Sequence, residues 1–415
     1  MAREMKDSGV AWIGEIPKSW AISRIKNEFL NLDNLREPIS AEKRDNKLGL
    51  YDYYGASGVI DKMDQYNVDD TVLLIGEDGA NLRMRNLPLI YRASGKFWVN
   101  NHAHILKVKP DNSYSYMAYL LETGDYSVYI TGSAQPKLSQ FNLMNFKIVV
   151  PPVSEQEIIA KYLDTQCAEI DAVLDKTRTS IEEYKKLKQA IITQAVTKGV
   201  RGDRPMKESG IEWISEIPAE WKIYWGKRLF YETNERSEAG NEELLTVSHL
   251  TGITPRSQKN VNMFMSESLV GYKVCHVGDI ATNTMWMWQG AIGVSAYHGV
   301  ISPSYNTYRQ RSEAFDSQYL DYLLRIRPLV DMYNACSTGI TASRLRLYPE
   351  QFLSFKFPVP PMEEQREIVC NLGDKVGEVN TLIQKKERFL AELETYKKSL
   401  IYEYVTGKKE VDQYD

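Results

Sequence analysis

The chain has 415 residues, 43% of them hydrophobic and 26% charged, with a formal net charge of -4. That balance fits a folded protein of roughly two to four domains. It excludes a polycationic nucleic-acid coat, and no apolar run approaches the length of a membrane span.

The N-terminal stretch MAREMKDSGVAW lacks the apolar core of a signal peptide, so a cytoplasmic location without membrane contact is expected. Residues 6–20 then read KDSGVAWIGEIPKSW and return at 207–221 as KESGIEWISEIPAEW. Tryptophans and a proline at fixed spacing predict a short packed strap, present twice. Residues 21–150 have the pattern of a mixed α/β domain. Apolar runs at 71–75, 87–91, 103–108 and 146–150 predict strands, and 114–123 (YSYMAYLLET) predicts a helix.

Residues 155–198 contain no Gly and no Pro. Ile159, Leu163, Ile170, Val173, Ile181, Tyr184, Leu187 and Ile191 follow steps of three and four or their multiples, the stripe of an amphipathic helix with a coiled-coil seam. Ser154 is the expected N-cap and Gly199 the stop. At 1.5 Å per residue the helix would be roughly 60 Å long.

After a polar linker at 199–205 the plan repeats. Residues 222–358 predict strands at 243–248, 293–295, 307–309 and 355–359 and a helix at 317–325. Residues 363–405 form a second stripe through Leu372, Val376, Val379, Ile383, Leu390, Leu393, Leu400 and Tyr404, interrupted by Lys386 and Lys397. Those lysines are expected to snorkel or to loosen the seam locally. Each stripe follows a Pro-Pro pair and a Glu-Gln pair: Pro151, Pro152, Glu155 and Gln156, then Pro360, Pro361, Glu364 and Gln365.

The fold class expected is therefore α/β (α+β). Two mixed α/β domains are separated by two long antiparallel helices, a coiled coil, in an internal pseudo-twofold repeat. The expected boundaries are 1–153 for the first domain, 154–199 for the first helix, 200–361 for the second domain, 362–408 for the second helix and 409–415 for a polar tail. Because the order strap, domain, helix is cyclic, the second helix should end near the first strap.

Catalytic chemistry is absent from the sequence. It holds no Walker-type phosphate loop, dinucleotide fingerprint or nucleophile elbow. Ser302-Pro303-Ser304-Tyr305-Asn306 is the nearest approach to an amino-methyltransferase loop and does not match it. Cys167, Cys275, Cys336 and Cys370 stand singly and are expected as buried or half-buried thiols in a reducing compartment. His102 and His104 could share one strand face, but no second ligand pair lies nearby and no metal site is expected. Glu77 and Asp78 are read as a solvated turn.

Between the repeated ends the middles diverge. Polar and aromatic residues gather there in Gly-rich loops at 76–85, 97–104 and 131–137, and at 283–289, 302–306 and 338–346. Arg, Lys, Asn, Gln, Ser and Thr are the residue types that read base edges and hold phosphates. The candidates for DNA contact in the first copy are Asn81, Arg83, Arg85, Asn100, Asn101, His102 and Lys137. In the second they are Asn283, Thr284, Trp286, Gln289, Tyr305, Ser343, Arg344 and Arg346.

Over essentially its whole length the chain resembles the specificity (S) subunit of type I restriction–modification systems. The resemblance is carried by the twin straps, by Tyr53-Tyr54-Gly55-Ala56-Ser57-Gly58-Val59-Ile60 and by Leu74-Ile75-Gly76-Glu77-Asp78-Gly79-Ala80. It is carried also by Gly271-Tyr272 with Val277-Gly278-Asp279-Ile280, and by the Pro-Pro and Glu-Gln junctions. It implies two target recognition domains, each reading one half of a bipartite, asymmetric site on double-stranded DNA. It implies a helix pair that fixes the spacer and docks two DNA methyltransferase (modification) subunits, with motor–endonuclease (restriction) subunits completing the complex. S-adenosylmethionine, ATP and Mg would sit on those partners, and this chain would be no enzyme and bind no cofactor. Ile159, Leu163, Ile170, Tyr184, Leu372, Val379 and Leu393 are the candidates for partner binding. A coiled-coil scaffold linking two protein-binding domains without DNA contact is the alternative, and a fused DNA methyltransferase is disfavoured by the missing motifs.

Overall fold

The computed structural model describes residues 3–40, 42, 49–259, 268–339 and 345–411. Two long helices dominate it, α1 (Val153–Lys198) and α2 (Met362–Val405). Ser154 lies inside α1 and does not cap it. The helix starts directly after Pro152, whose carbonyl accepts from Glu155 N at 2.9 Å and Gln156 N at 3.0 Å. Gly199 ends α1 at φ +75° and Gly407 follows α2 at φ +73°, a conformation that favours glycine.

The chain forms two compact units, Met1–Arg178 with Arg388–Asp415, and Thr179–Glu387. Each takes a part of both long helices. In the first unit the pairing runs antiparallel: Lys397 Nζ reaches Asp171 Oδ1 at 2.6 Å, Arg178 Nη2 reaches Glu394 Oε1 at 2.7 Å, and Tyr404 OH donates to Tyr162 OH at 3.3 Å. In the second unit Lys188 Nζ donates to Asn380 Oδ1 at 3.0 Å, also antiparallel. Lys386 lies over the Tyr184 ring at 5.7 Å, so each interrupting lysine has a partner.

The seam of α1 differs from the expected stripe. Val173 and Leu187 are exposed, whereas Leu163, Cys167, Ile170, Leu174, Thr177 and Ile181 are buried. These buried positions keep a strict four–three alternation. A cysteine and a threonine hold two of them, which disguised the phase. Among the cysteines Cys167 and Cys275 are buried and Cys336 half-buried, but Cys370 is exposed on α2, against expectation.

In the first unit a six-stranded sheet runs Phe29–Asn31, Ala103–Val108, Val68–Gly76, Ile90–Val99, Tyr51–Gly55, Gly58–Met63. All neighbours are antiparallel except Ile90–Val99 with Tyr51–Gly55. In the second unit a four-stranded antiparallel sheet runs Phe230–Thr233, Asn306–Gln310, Ile280–Thr282, Ile292–Val294. The order is that of the first four strands in the other sheet. Both straps are β-hairpins, Met5–Asp7 with Glu15–Pro17 and Met206–Ile211 with Ile214–Pro218.

The helix Tyr114–Thr123 is found at its expected bounds, and its counterpart is Ser317–Leu324. The run at 87–91 contributes only the start of Ile90–Val99, because Asn81 folds 81–88 into a turn. The hairpin Tyr51–Met63 and the helix Arg327–Cys336 were not expected. Gly and Asp break the apolar pattern of the first, and Pro328 in the first turn of the second reads as a breaker until its position is known.

Candidate nucleic-acid interface

Each head is joined to the long helices by the same set of bonds, made twice. Trp20 Nε1 donates to Glu155 Oε2 at 2.8 Å, and Trp221 Nε1 donates to Glu364 Oε2 at 2.9 Å. Arg3 and Arg204 pair with the same carboxylates, and their guanidinium groups lie over the Trp20 and Trp221 rings at 5.2 and 5.6 Å. Gln156 and Gln365 are fully buried. Their side-chain oxygens accept from Ser113 N at 2.9 Å and Asp316 N at 2.8 Å, the residues that cap the two head helices. Their amides donate back to Pro151 O and Pro360 O. The buried phenols of Tyr116 and Tyr319 donate to Val405 O at 2.8 Å and Val196 O at 2.9 Å, satisfying carbonyls in the last turns of α2 and α1.

So each head is held between the start of one long helix and the end of the other. Tyr402 OH also donates to Trp12 O at 2.9 Å, which puts the end of α2 at the first strap, as the cyclic order predicts. The sequence displayed the repeated Trp and Glu-Gln pairs; that they bond to one another was not readable from spacing.

In the first head the three loops singled out in the sequence converge. Glu77 N donates to His102 O and Leu138 N to Glu77 O, both at 2.8 Å, and Gly79 N donates to Pro136 O at 3.0 Å. The Glu77 carboxylate lies between Arg36 and Lys137, with Lys137 Nζ at 2.9 Å. Burial would push that carboxyl up, but the Lys137 and Arg36 hydrogen bonds together hold it below the usual carboxylate range. Glu77 is therefore a buried ion-pair centre and not part of a solvated turn. His102 and His104 part company: His102 Nδ1 meets Asp78 Oδ2 at 2.7 Å in the open, while buried His104 spans Asp33 Oδ2 at 2.7 Å and Leu138 O at 2.8 Å. No group of three or more potential metal ligands occurs among the described residues.

Of the candidates for DNA contact in this head, Arg83, Asn101, His102 and Lys137 are exposed. Three others are turned to structural work. Asn81 Oδ1 accepts from Leu87 N and its amide donates to Leu87 O and Pro88 O. Arg85, at φ +53°, donates to Glu122 O and Gly124 O. Asn100 is buried and its side chain accepts from His102 N.

In the second head, loops 283–289 and 302–306 come together. Asn283 is buried; its Nδ2 donates to Tyr305 OH at 2.7 Å and its Oδ1 accepts from Met285 N. The Thr284 hydroxyl donates to Ser304 O. Trp286 is exposed and Gln289 half-buried. Arg346 is exposed, with its backbone bridged to Thr338, as Lys137 is bridged to Thr131. Ser343 and Arg344 lie outside the described residues.

The residues named for partner binding require correction. Ile159, Leu163, Ile170, Leu372 and Val379 are buried, and Tyr184 and Leu393 are half-buried. A stripe that closes the chain's own helix pair has no face left for another subunit. Among the apolar residues left outside are Val173 and Tyr396 in the first unit and Leu187 and Leu382 in the second, each at least 40% exposed; Val153, Ile158 and Phe389 are exposed as well. The spacing that carries Glu155 onto Glu364 carries Val173 onto Leu382 and Leu187 onto Tyr396. These four repeat as the buried set does, whereas Ile158 and Phe389 fall on Glu367 and Ser180.

Duplicated heads on a shared helix pair, with a repeated frame and unlike loops, define the class of tandem recognition subunits. Residues 17–183 match the family model described as Type I restriction modification DNA specificity domain. The chain is 25% identical to a putative type I restriction enzyme specificity subunit of Haemophilus influenzae, covering 83% of this chain and 85% of that one. It is also 25% identical to the putative type I restriction enzyme MjaX specificity subunit of Methanocaldococcus jannaschii, covering 95% of each. A solved chain from work on complex assembly and conformational transition of the type I R-M system superposes with a TM-score of 0.63 at 14% identity, covering 95% of this chain and 99% of that one, a likeness of fold. The first part of this chain thus carries the match to a type I restriction–modification specificity domain, and the chain as a whole is similar to specificity subunits of those systems. Among the described residues no helix is long and apolar enough to cross a membrane.

Proposed function

We propose that each head reads one half of a bipartite, asymmetric DNA target, and that the helix pair sets the spacer between the halves. The observation that carries this is the contrast within the repeat. The joints of Trp, Glu, Gln and Tyr are the same in both units, while the loops they hold up differ in most of their sequence. A frame kept constant under unlike loops is suited to reading two different half-sites. At 46 residues α1 would measure about 69 Å, longer than one turn of duplex at about 34 Å.

The exposed, repeated apolar set on α1 and α2 supports docking of two modification (DNA methyltransferase) subunits, one at each unit, with restriction subunits joining through them. The chemistry and its S-adenosylmethionine, ATP and Mg would belong to those partners. The near-neutral net charge of -4 suits a reader that shares phosphate contacts with them.

The test is methylation of random-sequence DNA by the chain assembled with its modification subunits, read by sequencing. A two-part motif with a fixed gap is expected, and replacing residues 21–150 by those of another specificity subunit should change one half alone. A gel shift at two salt concentrations should find the isolated chain weakly bound and salt-sensitive. Methylation without any sequence preference, with the assembly intact, would leave the chain a scaffold.

A further inference from the structure

We propose that Met285 and Trp286 form an apolar wedge that enters the base stack of the half-site read by the second head. The proposal rests on the reading of the heads as DNA binders and adds the mode of contact: stacking on base faces, where the polar candidates would read edges.

The two sheets share a strand order, so their connections can be compared. The one between Val68–Gly76 and Ile90–Val99 corresponds to the one between Ile280–Thr282 and Ile292–Val294. Both connections carry exposed apolar side chains: Met84 and Leu87 in the first head, Met285 at 47% and Trp286 at 46% in the second. A single exposed hydrophobe carries no message. The same place in two heads of unlike sequence, in loops otherwise rich in polar groups, is a pattern.

The second tip is also held rigid. Asn283 Oδ1 accepts from Met285 N at 3.2 Å, and Trp288 Nε1 donates to Met285 O at 3.0 Å. Met287 is buried beneath the tip, and Gly290 closes the loop at φ +86°, where a Cβ would come 2.8 Å from Val330. The Trp286 ring stacks on Trp288, centroids 6.3 Å apart and planes 15° off parallel. A loop backbone fixed in this way loses little freedom on binding, so the contact energy of the side chains it carries is available to separate two base pairs. Every base offers a π face to an indole, which makes stacking tolerant of sequence. The wedge would place the head along the duplex and leave discrimination to its polar neighbours.

The full chain is assembled with its modification subunits and titrated with duplexes carrying 2-aminopurine at successive positions of the second half-site, mapped first by methylation sequencing. The expected result is one position where fluorescence rises several-fold on binding. Trp286→Ala should abolish that rise and weaken binding about tenfold, whereas Trp286→Phe should keep most of both. Size exclusion of the assembled complex reports that each variant folds. The absence of any position whose rise depends on Trp286, or wild-type affinity in Trp286→Ala, overturns the wedge while half-site reading stands. Loss of assembly in Trp286→Ala alone assigns the tip to a protein contact and also overturns it. A complex with no sequence preference at all sinks the DNA reading and the wedge together.

Discussion

The Glu77 carboxylate shows how much one side chain can organise. Its own backbone pairs with the 100–102 and 131–138 loops, and its oxygens face Arg36 and Lys137. Asp33 is likewise held below the ordinary carboxylate range: burial pushes it up, and hydrogen bonding and charge from His104 with the Ile105 amide bring it down. A carboxylate depressed in the fold stabilises at neutral pH and stops doing so as pH falls through its folded value. The first head's loops should therefore loosen below about pH 4, and Glu77→Gln should loosen them at neutral pH. Amide exchange at Gly79 and Leu138 reads both outcomes. At the joint of the second head, Glu364 is fully buried between Arg204 and Trp221. Arg204→Met would leave that charge with only the indole donor, and should cost about 3–5 kcal/mol in denaturant unfolding of the second unit. Residues of this kind were only half legible in the sequence. Asn81, Asn100 and Asn283 have the amides expected of base readers, yet an Asn in a turn can face its own backbone equally well, and here all three do.

At the scale of elements the sequence was a better guide, and the reason is periodicity. A helix of 46 residues repeats its signal many times over, so its existence survives an error at any one position. The phase did not survive as well. Val173 and Leu187 match the three–four spacing nearly as well as Leu174 and Thr177, and hydrophobicity favoured the wrong pair. The error has a functional meaning: apolar residues where the seam does not need them are available to something else. Val173→Asp and Leu382→Asp should leave the free chain's melting temperature within about 2 °C, since exposed substitutions shift stability little. Both should weaken assembly with the modification subunits, and the double variant more than either, as measured by analytical ultracentrifugation.

At the scale of the whole chain, each unit ties the end of one long helix to its own strap. The end of α2 reaches the first strap through Tyr402 and Trp12, and the end of α1 packs with the second through Val196, Ile217 and Trp221. A circular permutant opened at Gly202, where a Cβ would meet open space, should fold and keep both half-sites. Sequencing of DNA methylated by the permutant complex checks this; aggregation of the permutant beside a soluble parent would count against the closed frame. The two-domain plan was legible because the repeat is long and its anchors are rare residue types. The loop geometry was not, because each loop's shape depends on residues far off in sequence, such as Arg36 beside Glu77.

The first unit recruits Arg388–Asp415, a segment made only after the whole of the second unit. A ribosome delivers the first head long before the strand that completes its floor. Until that segment is made, Tyr116 has no Val405 carbonyl to meet, and Trp12, Leu163 and Ile170 lack the α2 residues that join them in the core. The second unit has all its parts once Glu387 is made, before the Arg388–Asp415 segment, so it should mature first on the nascent chain, and the half made first should be the last to become protease-resistant. A premature stop just ahead of Arg388 would then give a product with one sound head and one that the quality-control proteases remove.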